Sequence, residues 1–324
     1  MCTCLALKNN DTYFGRNLDL DSNFGQMIVV TPRNFPLGFK KMKTLKSHYA
    51  MIGMAAIIDG YPMYADATNE YGLSIAGLQF EGYAKYHKHD PKKTNIAPFE
   101  LIPYLLGTCK TVKDALQILK NSVIINVDFN SKVGNSNLHW MIADKRESYV
   151  IESVEEGLKV YKNPYGVLTN NPPFPFHLEN LKLYLNITNE EVESRFSNSL
   201  MLTSFTFGNG TYGLPGDYTS PSRFVKASYL LNNSKSEKDE LSNIAQFFHI
   251  LDSVAVTRGA VRSFNGKYRT TIYSSCTNVD KGVYYCKTYE NSRVIAVDMK
   301  KVDFKGSKLL PYSIKGELDI RYLV

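Results

Sequence analysis

Residues 1–21 read MCTCLALKNNDTYFGRNLDLD, and this stretch decides the fold that we expect for the chain. A first strand starts at Cys2, and its apolar run ends at Lys8. A hairpin after this strand would return the following segment, with the cation of Arg16 and the carboxylate of Asp19, to the side of Cys2. The sequence therefore predicts that the chain terminus, a thiol, a guanidinium and a carboxylate lie together.

Cys2 gains a special chemistry if the initiator Met1 is removed, because one residue then carries both a thiol and a free α-amine. An α-amine titrates at about 7.7–8.0, so about a tenth of it is free base near neutral pH, beside the thiol that it must deprotonate. A guanidinium at Arg16 would favour the thiolate, and a carboxylate at Asp19 would orient the amine. The alternative is a small buried residue at position 2, with Arg16 and Asp19 in an exposed turn.

Length and composition describe a folded chain of 324 residues, with 44% hydrophobic and 21% charged residues, and this balance excludes intrinsic disorder. No linker, internal repeat or low-complexity segment divides it, so we expect one domain over residues 1–324. The net charge of +7 is spread over all regions, which argues against a nucleic-acid partner. No stretch approaches the roughly 20 apolar residues of a membrane span, so no membrane partner is expected.

The expected location is the cytoplasm. The N-terminus has no basic region before its short apolar run, which is atypical of a signal peptide. Five cysteines are too few, and odd in number, for a disulfide framework, so reduced thiols are predicted. They are Cys2, Cys4, Cys109, Cys276 and Cys286.

The order of predicted elements indicates an α+β fold with antiparallel sheets. Strand patterns dominate residues 1–80, with runs after the first hairpin at Met27–Val30, Tyr49–Ile58 and Tyr71–Leu78, and they return at 137–169 and 269–297. Helical patterns fill 98–121, 220–231 and 239–254. Residues 172–222 are rich in Gly and Pro near each end and predict an irregular excursion around one helix at Thr188–Phe196, capped by Thr188 and Glu191. Strands thus bracket helices without βαβ alternation.

Three short motifs do not support a cofactor or another catalytic class. The G-x-G-x-x-G match at residues 208–213 is followed by Leu214-Pro215, where a nucleotide-binding helix should open. Ser74 lies in a predicted strand and misses the last glycine of a serine-hydrolase elbow. His87 and His89 lie in a polar loop. We therefore expect neither a metal nor an organic cofactor.

The whole chain resembles the choloylglycine hydrolase family of N-terminal nucleophile hydrolases, which contains bile salt hydrolases and penicillin V acylases. The resemblance rests on many short segments in order and at compatible spacing. It implies a four-layer αββα sandwich, a homotetramer and no cofactor. The segments are Met1-Cys2-Thr3, Phe14-Gly15-Arg16-Asn17-Leu18-Asp19, Thr31-Pro32-Arg33-Asn34, Asp66-x-x-Asn69-Glu70-x-Gly72-Leu73, Leu138-His139-Trp140, Gly166-x-x-Thr169-Asn170-Asn171-Pro172, Gly213-Leu214-Pro215-Gly216-Asp217-Tyr218-Thr219, Ser222-Arg223-Phe224, Phe247-Phe248-His249-Ile250-Leu251 and Tyr284-Tyr285.

The resemblance also implies a role for each site residue. Cys2 would be the nucleophile and supply the α-amino base, Arg16 would lie beside the thiol, and Asp19 would hold the amine. Asn170 would lie at the oxyanion, although on its own it reads as a turn residue. Arg223 would belong to the surrounding charge network, and a cation in the first turn of a helix needs an acidic partner.

Position 79 departs from the family pattern. Bile salt hydrolases usually carry Asn there and penicillin V acylases commonly carry Tyr, whereas this chain has Gln79. Glutamine keeps the amide but is longer by one methylene. Either the side chain or only the backbone amide of Gln79 would then serve the reaction.

The activity that the resemblance implies is hydrolysis of the amide bond in glycine- or taurine-conjugated bile acids, a small-molecule substrate. Penicillin V acylase activity is the alternative, and a sterol-binding or thiol-redox protein that pairs Cys2 with Cys4 is a third reading. A steroid needs an apolar cleft. We expect its walls in loops that contain Phe24, Ile58, Tyr61, Met63, Phe129 and Phe205.

Overall fold

The computed structural model describes residues 1–235 and 237–324. Its first sheet, sheet 1, has seven strands and contains the chain terminus. In spatial order it consists of β12 (Val167–Leu168), β1 (Cys2–Lys8), β2 (Thr12–Leu20), β14 (Tyr268–Asn278), β15 (Val283–Thr288) and β16 (Ile295–Asp298), with β13 (Val261–Arg262) paired to β14.

The second sheet, sheet 2, has eight strands, and all pairings within both large sheets are antiparallel. A short parallel pair lies outside them, formed by β7 (Thr94–Ile96) and β8 (Ser122–Ile124). In spatial order sheet 2 consists of β11 (Gly157–Lys162), β10 (Ser148–Val154), β9 (Leu138–Ala143), β6 (Ser74–Gln79), β5 (Tyr61–Asn69), β4 (Met51–Ile58), β3 (Met27–Thr31) and β17 (Leu310–Tyr312).

Helices cover the outer face of each sheet. The α-helices of the described residues are α1 (Leu101–Thr108), α2 (Val112–Leu119), α3 (Phe174–Leu181), α4 (Ser220–Asn232) and α5 (Glu240–Asp252). The first two share a hydrophobic core with sheet 2, and α4 and α5 share one with sheet 1. This arrangement confirms the predicted four-layer αββα sandwich. No helix within the described ranges is long and apolar enough to cross a membrane.

The hairpin predicted from the first residues is confirmed. Strand β1 pairs with β2 so that Cys2 lies opposite Leu18, and the main-chain N–H of Asp19 donates to the carbonyl oxygen of Met1 at 2.9 Å. Gly15 is required where β14 crosses, because a Cβ there would lie 2.0 Å from the carbonyl oxygen of Ser275. The sequence FGRNLD therefore lets β14 approach β2 closely and aligns the residues that face Cys2.

The irregular excursion differs from the prediction in two places. The helix expected at Thr188–Phe196 is wrong, because the region is irregular and Phe196 is 73% exposed, with no core to cover. Its capping residues serve loop turns: Thr188 accepts from the N–H of Glu190 at 3.2 Å, and Glu191 accepts from Gly208 at 3.1 Å. Helix α3 lies earlier in the same excursion and was not predicted.

Sheet 2 differs from the sequence prediction at two of its strands, β6 and β5. The strand expected from Tyr71 begins at Ser74, because Gly72 turns the chain with a φ of 88°. Strand β5, with Pro62 near its start, was not predicted. It places Asp66 opposite Ala76 in β6, at the centre of sheet 2.

Candidate active site

Cys2 is the first residue of β1, and its side chain is only 3% exposed beneath Met1. Met1 reaches a cleft of about 400 Å³. The Met1 amine donates to the carbonyl oxygen of Asp19 at 2.8 Å and lies 3.4 Å from Oε1 of Gln79. Removal of Met1 would therefore open the cleft directly onto Cys2. The cleft is lined by Met1, Gln79, Glu81, Asn170, Asn171, Pro172, Thr219, Ser220, Pro221 and Arg223.

The environment of Cys2 favours its thiolate. Burial by itself raises the pKa of the thiol, but the Arg16 guanidinium, the terminal amine and the backbone N–H of Gln79 outweigh burial, and the net pKa is lowered. Arg16 is fully buried, and its Nη1 donates to the carbonyl oxygens of Ala65, at 3.0 Å, and Gly77. Its Nη2 has no hydrogen-bond partner in the described part of the chain. This guanidinium therefore retains an unused donor in the core below the thiol.

The other four cysteines differ from Cys2. Burial raises the pKa of Cys109 to about 11, and it raises the pKa values of Cys4, Cys276 and Cys286 as well. All five thiols are free, as the cysteine count predicted. Cys4 is completely buried, and this environment does not favour a redox pair with Cys2.

Asn170 holds the nitrogen of Cys2. Its Oδ1 accepts from the Cys2 N–H at 2.8 Å and from Nη2 of Arg223 at 2.7 Å, so these two donors fix the orientation of the amide. Its Nδ2 donates to the carbonyl oxygen of Gln79 at 2.8 Å. The backbone of Asn170 is itself held by Ser220 Oγ, at 2.8 Å, and by Nε2 of His177, at 2.9 Å. With Met1 present, Asn170 thus binds the future α-amine, and its expected place at the oxyanion stays a prediction.

Arg223 is almost completely buried in the first turn of α4. Its acceptors are neutral: the carbonyl oxygen of Cys2, Thr3 Oγ1 at 2.7 Å and the carbonyl oxygen of Tyr218 at 3.0 Å, besides Asn170. Burial lowers the pKa of Arg223, and the charges of Asp19 and Asp217 offset part of this effect. The acidic partner expected for this cation therefore acts through space, while oxygens of the site bind all three guanidinium nitrogens.

Asp19 lies next to the amine and keeps one oxygen unused. Its Oδ1 accepts from Thr271 Oγ1 at 2.6 Å, and its buried Oδ2 has no partner within residues 1–235 and 237–324. Burial lowers the pKa of the Met1 amine, whereas the carboxylate of Asp19 raises it. The amine itself bonds to the main-chain oxygen of Asp19. Contact between the carboxylate and the amine of a processed Cys2 stays a prediction.

Gln79 is the last residue of β6, and its backbone and its side chain contact different parts of the site. Its backbone N–H lowers the pKa of Cys2 through a hydrogen bond, and its carbonyl oxygen accepts from Asn170. Its side chain extends to the rim of the cleft, where Nε2 donates to Glu81 at 3.0 Å and Oε1 lies 3.5 Å from Nη1 of Arg269. The backbone of Gln79 thus faces the Cys2 thiol, whereas its side-chain amide lies between the carboxylate of Glu81 and the guanidinium of Arg269.

The six predicted wall residues lie outside the lining of this cleft. Tyr61 and Phe129 pack together, with ring centroids 5.6 Å apart, and both contact Phe99. Ile58 and Met63 belong to the hairpin of β4 and β5. Phe24 is 37% exposed and Phe205 is 95% exposed. Within the described residues, Tyr61 thus neighbours Phe129 and its cross-strand partner Ile58, and a steroid site at the six residues stays a prediction.

Asp66 is a buried carboxylate between the sheets for which no role was predicted. Asp66 accepts from Tyr273 Oη at 2.6 Å and from Tyr284 Oη at 2.7 Å. Burial raises the pKa of Asp66, and Arg16 opposes this. Asp66 and Tyr284 belong to segments that carried the resemblance, so the signal was present without a role attached.

Among the residues that the structure describes, no cluster of three or more His, Cys, Asp or Glu side chains could hold a metal ion.

Comparison with known proteins agrees with this geometry. The family model of linear amide C–N hydrolases, choloylglycine hydrolase family, matches residues 2–312. The chain is 46% identical to a bile salt hydrolase/transferase of Lactiplantibacillus plantarum, over 98% of each chain, and 39% identical to one of Clostridium perfringens, over all of both. The crystal structure of the C2A mutant of the C. perfringens conjugated bile acid hydrolase superposes with a TM-score of 0.93, at 38% identity, covering both chains completely. The chain belongs to the choloylglycine hydrolase family of linear amide C–N hydrolases.

Proposed function

We propose that this chain, once Met1 is removed, hydrolyses the amide bond between the steroid carboxyl of a bile acid and glycine or taurine. The observation that carries the proposal is the lowered pKa of the Cys2 thiol, on the residue whose nitrogen Asn170 holds at 2.8 Å. The bile-acid substrate is supported by the names of relatives that match the chain over its whole length.

The reaction uses one residue as nucleophile and base. The Cys2 thiolate attacks the scissile carbonyl carbon, and Arg16 stabilises the thiolate charge from below. The oxyanion needs donors in place before it forms, and we assign the backbone N–H of Gln79 as one, because it already favours the Cys2 thiolate. The α-ammonium of Cys2 donates a proton to the departing amino acid. The same amine afterwards takes a proton from the water that cleaves the thioester.

The role of Asn170 follows from its two hydrogen-bonding groups. Its Oδ1 orients the Cys2 nitrogen, and Arg223 holds that amide in place. Its Nδ2 is bound to the carbonyl oxygen of Gln79 and would have to leave it to serve as a second oxyanion donor. We assign Asn170 to the amine in the processed enzyme, with the oxyanion as a second role once substrate is bound.

Relative turnover separates the proposed substrate from the alternative, phenoxymethyl penicillin. Purified protein shown by mass to begin at Cys2 is incubated with glycocholate, taurocholate and phenoxymethyl penicillin in parallel. We expect release of free glycine and taurine with kcat/KM at least about tenfold above that for the penicillin. A higher kcat/KM for phenoxymethyl penicillin would reassign the chain as an acylase of that substrate, and absence of all three reactions would refute amide hydrolysis.

We further propose a single catalytic domain over residues 1–324, a homotetramer and a cytoplasmic location. The span of the family match over residues 2–312 supports the single domain. Five free thiols, all buried, fit a reducing compartment. Sedimentation of the purified protein tests the tetramer, and fractionation of cells tests the location.

A further inference from the structure

Three guanidinium groups influence the terminal amine or the thiol, and two of them are fully occupied or inaccessible. Arg16 is completely buried, and Arg223 donates from all three of its nitrogens to oxygens of the site. Arg269 is different, because it is half-buried at the rim of the cleft. It forms no ion pair with any residue in the described ranges. Among these three cations, Arg269 is therefore the one that an incoming anion can reach.

Strand β14 directs Arg269 toward the site. Side chains two residues apart on a strand share a face. Thr271, two residues after Arg269, donates to Asp19 at 2.6 Å, beside the terminal amine. Arg269 lowers the pKa of that amine through its charge, and its Nη1 lies 3.5 Å from Oε1 of Gln79. These observations agree in placing the guanidinium beside the space that Met1 occupies.

That space corresponds to the amino-acid half of an amide substrate. The nitrogen of Cys2 must come within about 3 Å of the departing nitrogen to give it a proton. The Met1 amine is three bonds from this nitrogen, and it shares Oε1 of Gln79 with Arg269. In glycine one carbon separates the departing nitrogen from the carboxylate, and in taurine two carbons separate it from the sulfonate. An anion at that distance would extend from Cys2 toward the Arg269 side of Gln79.

We propose that Arg269 binds the carboxylate or sulfonate of the conjugated amino acid and thereby selects substrates whose leaving group is anionic. This inference rests on the proposed function. The opposite side of the Gln79 amide carries the carboxylate of Glu81, which repels an anion. Asp21 feels the charge of Arg269, but its carboxylate accepts hydrogen bonds from Ser22 and Asn265 and makes none with Arg269 in the described part of the chain. The side-chain amide of Gln79 therefore has Glu81 on one side, at the rim of the cleft, and Arg269 on the other.

The test compares charged and neutral leaving groups. Substrates are glycocholate, taurocholate and the carboxamide analogue cholylglycinamide, and variants are Arg269→Gln, Arg269→Lys and the control Lys267→Gln. The control removes one charge from an exposed side chain two residues away. Charge-assisted hydrogen bonds predict that Arg269→Gln raises KM for both anionic substrates about tenfold, with kcat and the KM for cholylglycinamide changed less than threefold. Arg269→Lys should recover part of the loss, and Lys267→Gln should match the wild type.

Two results would overturn the inference alone. Unchanged KM of Arg269→Gln for glycocholate and taurocholate, with normal wild-type turnover, would show that Arg269 does not bind the anion. An equal rise in KM for cholylglycinamide would assign Arg269 a structural role. Lack of turnover of all three substrates by the wild type would instead overturn both this inference and the proposed function.

Discussion

Replacement of Asn170 by alanine tests how the Cys2 nitrogen is oriented. The change removes the acceptor of the Cys2 N–H and of Arg223 Nη2, and the donor to the Gln79 carbonyl oxygen. A hydrogen bond to a charged group contributes about 1.5–3 kcal/mol, and each 1.36 kcal/mol changes a rate about tenfold. If only the bond to the protonated amine is lost from the transition state, kcat/KM for glycocholate falls about 10- to 160-fold.

The assay measures free glycine released by protein that begins at Cys2, together with thermal unfolding. Asn171→Ala is the matched control, because Asn171 lines the same cleft and its side chain makes no hydrogen bond to the described residues. We expect this control to retain kcat/KM within about threefold. A folded Asn170→Ala protein that also kept kcat/KM within about threefold of the wild type would refute the role of Asn170 in orienting the Cys2 nitrogen.

Three further outcomes follow from the site. Iodoacetamide at neutral pH should label Cys2 before the four cysteines whose pKa values are raised, and Cys2→Ser should lose nearly all turnover. Peptide mapping that finds inactivation through another cysteine would assign the nucleophile to that residue. Asp19→Asn removes a charge that raises the amine pKa, so the acidic limb of the pH–rate profile should move to lower pH while activity falls at least about tenfold. An acidic limb that stays in place or moves to higher pH would contradict contact between Asp19 and the amine. Gln79→Asn and Gln79→Ala should both keep kcat within about tenfold of the wild type, because it is the backbone of Gln79 that faces the Cys2 thiol. A larger loss in Gln79→Ala alone would give the Gln79 side chain a direct role.

The hairpin at the terminus was predictable because its signals are local. An apolar run, a turn and the FGRNLD segment lie within 21 residues. As expected, the hairpin brings Arg16 opposite Cys4 and bonds Asp19 to Met1. Helices α4 and α5 were predictable for the same reason, since Ser220-Pro221 and Asp239 mark their starts.

Other features depend on contacts between distant segments. Thr188 and Glu191 match a helix cap, but each bonds to loop backbone instead, and no core is available to stabilise a helix there. Which group of Gln79 faces the thiol depends on the register of sheet 2 against β1, and no local pattern reports it. The partners of Asn170 and Arg269 likewise come from strands and loops far along the chain.

The central claim, that Cys2 without Met1 is both nucleophile and base, is tested most directly by the mass of acid-quenched protein during turnover of glycocholate. The claim predicts that the acylated molecules begin at Cys2, and that the cholyl group lies on the N-terminal peptide. Molecules that keep Met1 should stay unmodified, since their Cys2 nitrogen is an amide with no proton affinity. Acylation at another residue, or on molecules that retain Met1, would contradict the claim.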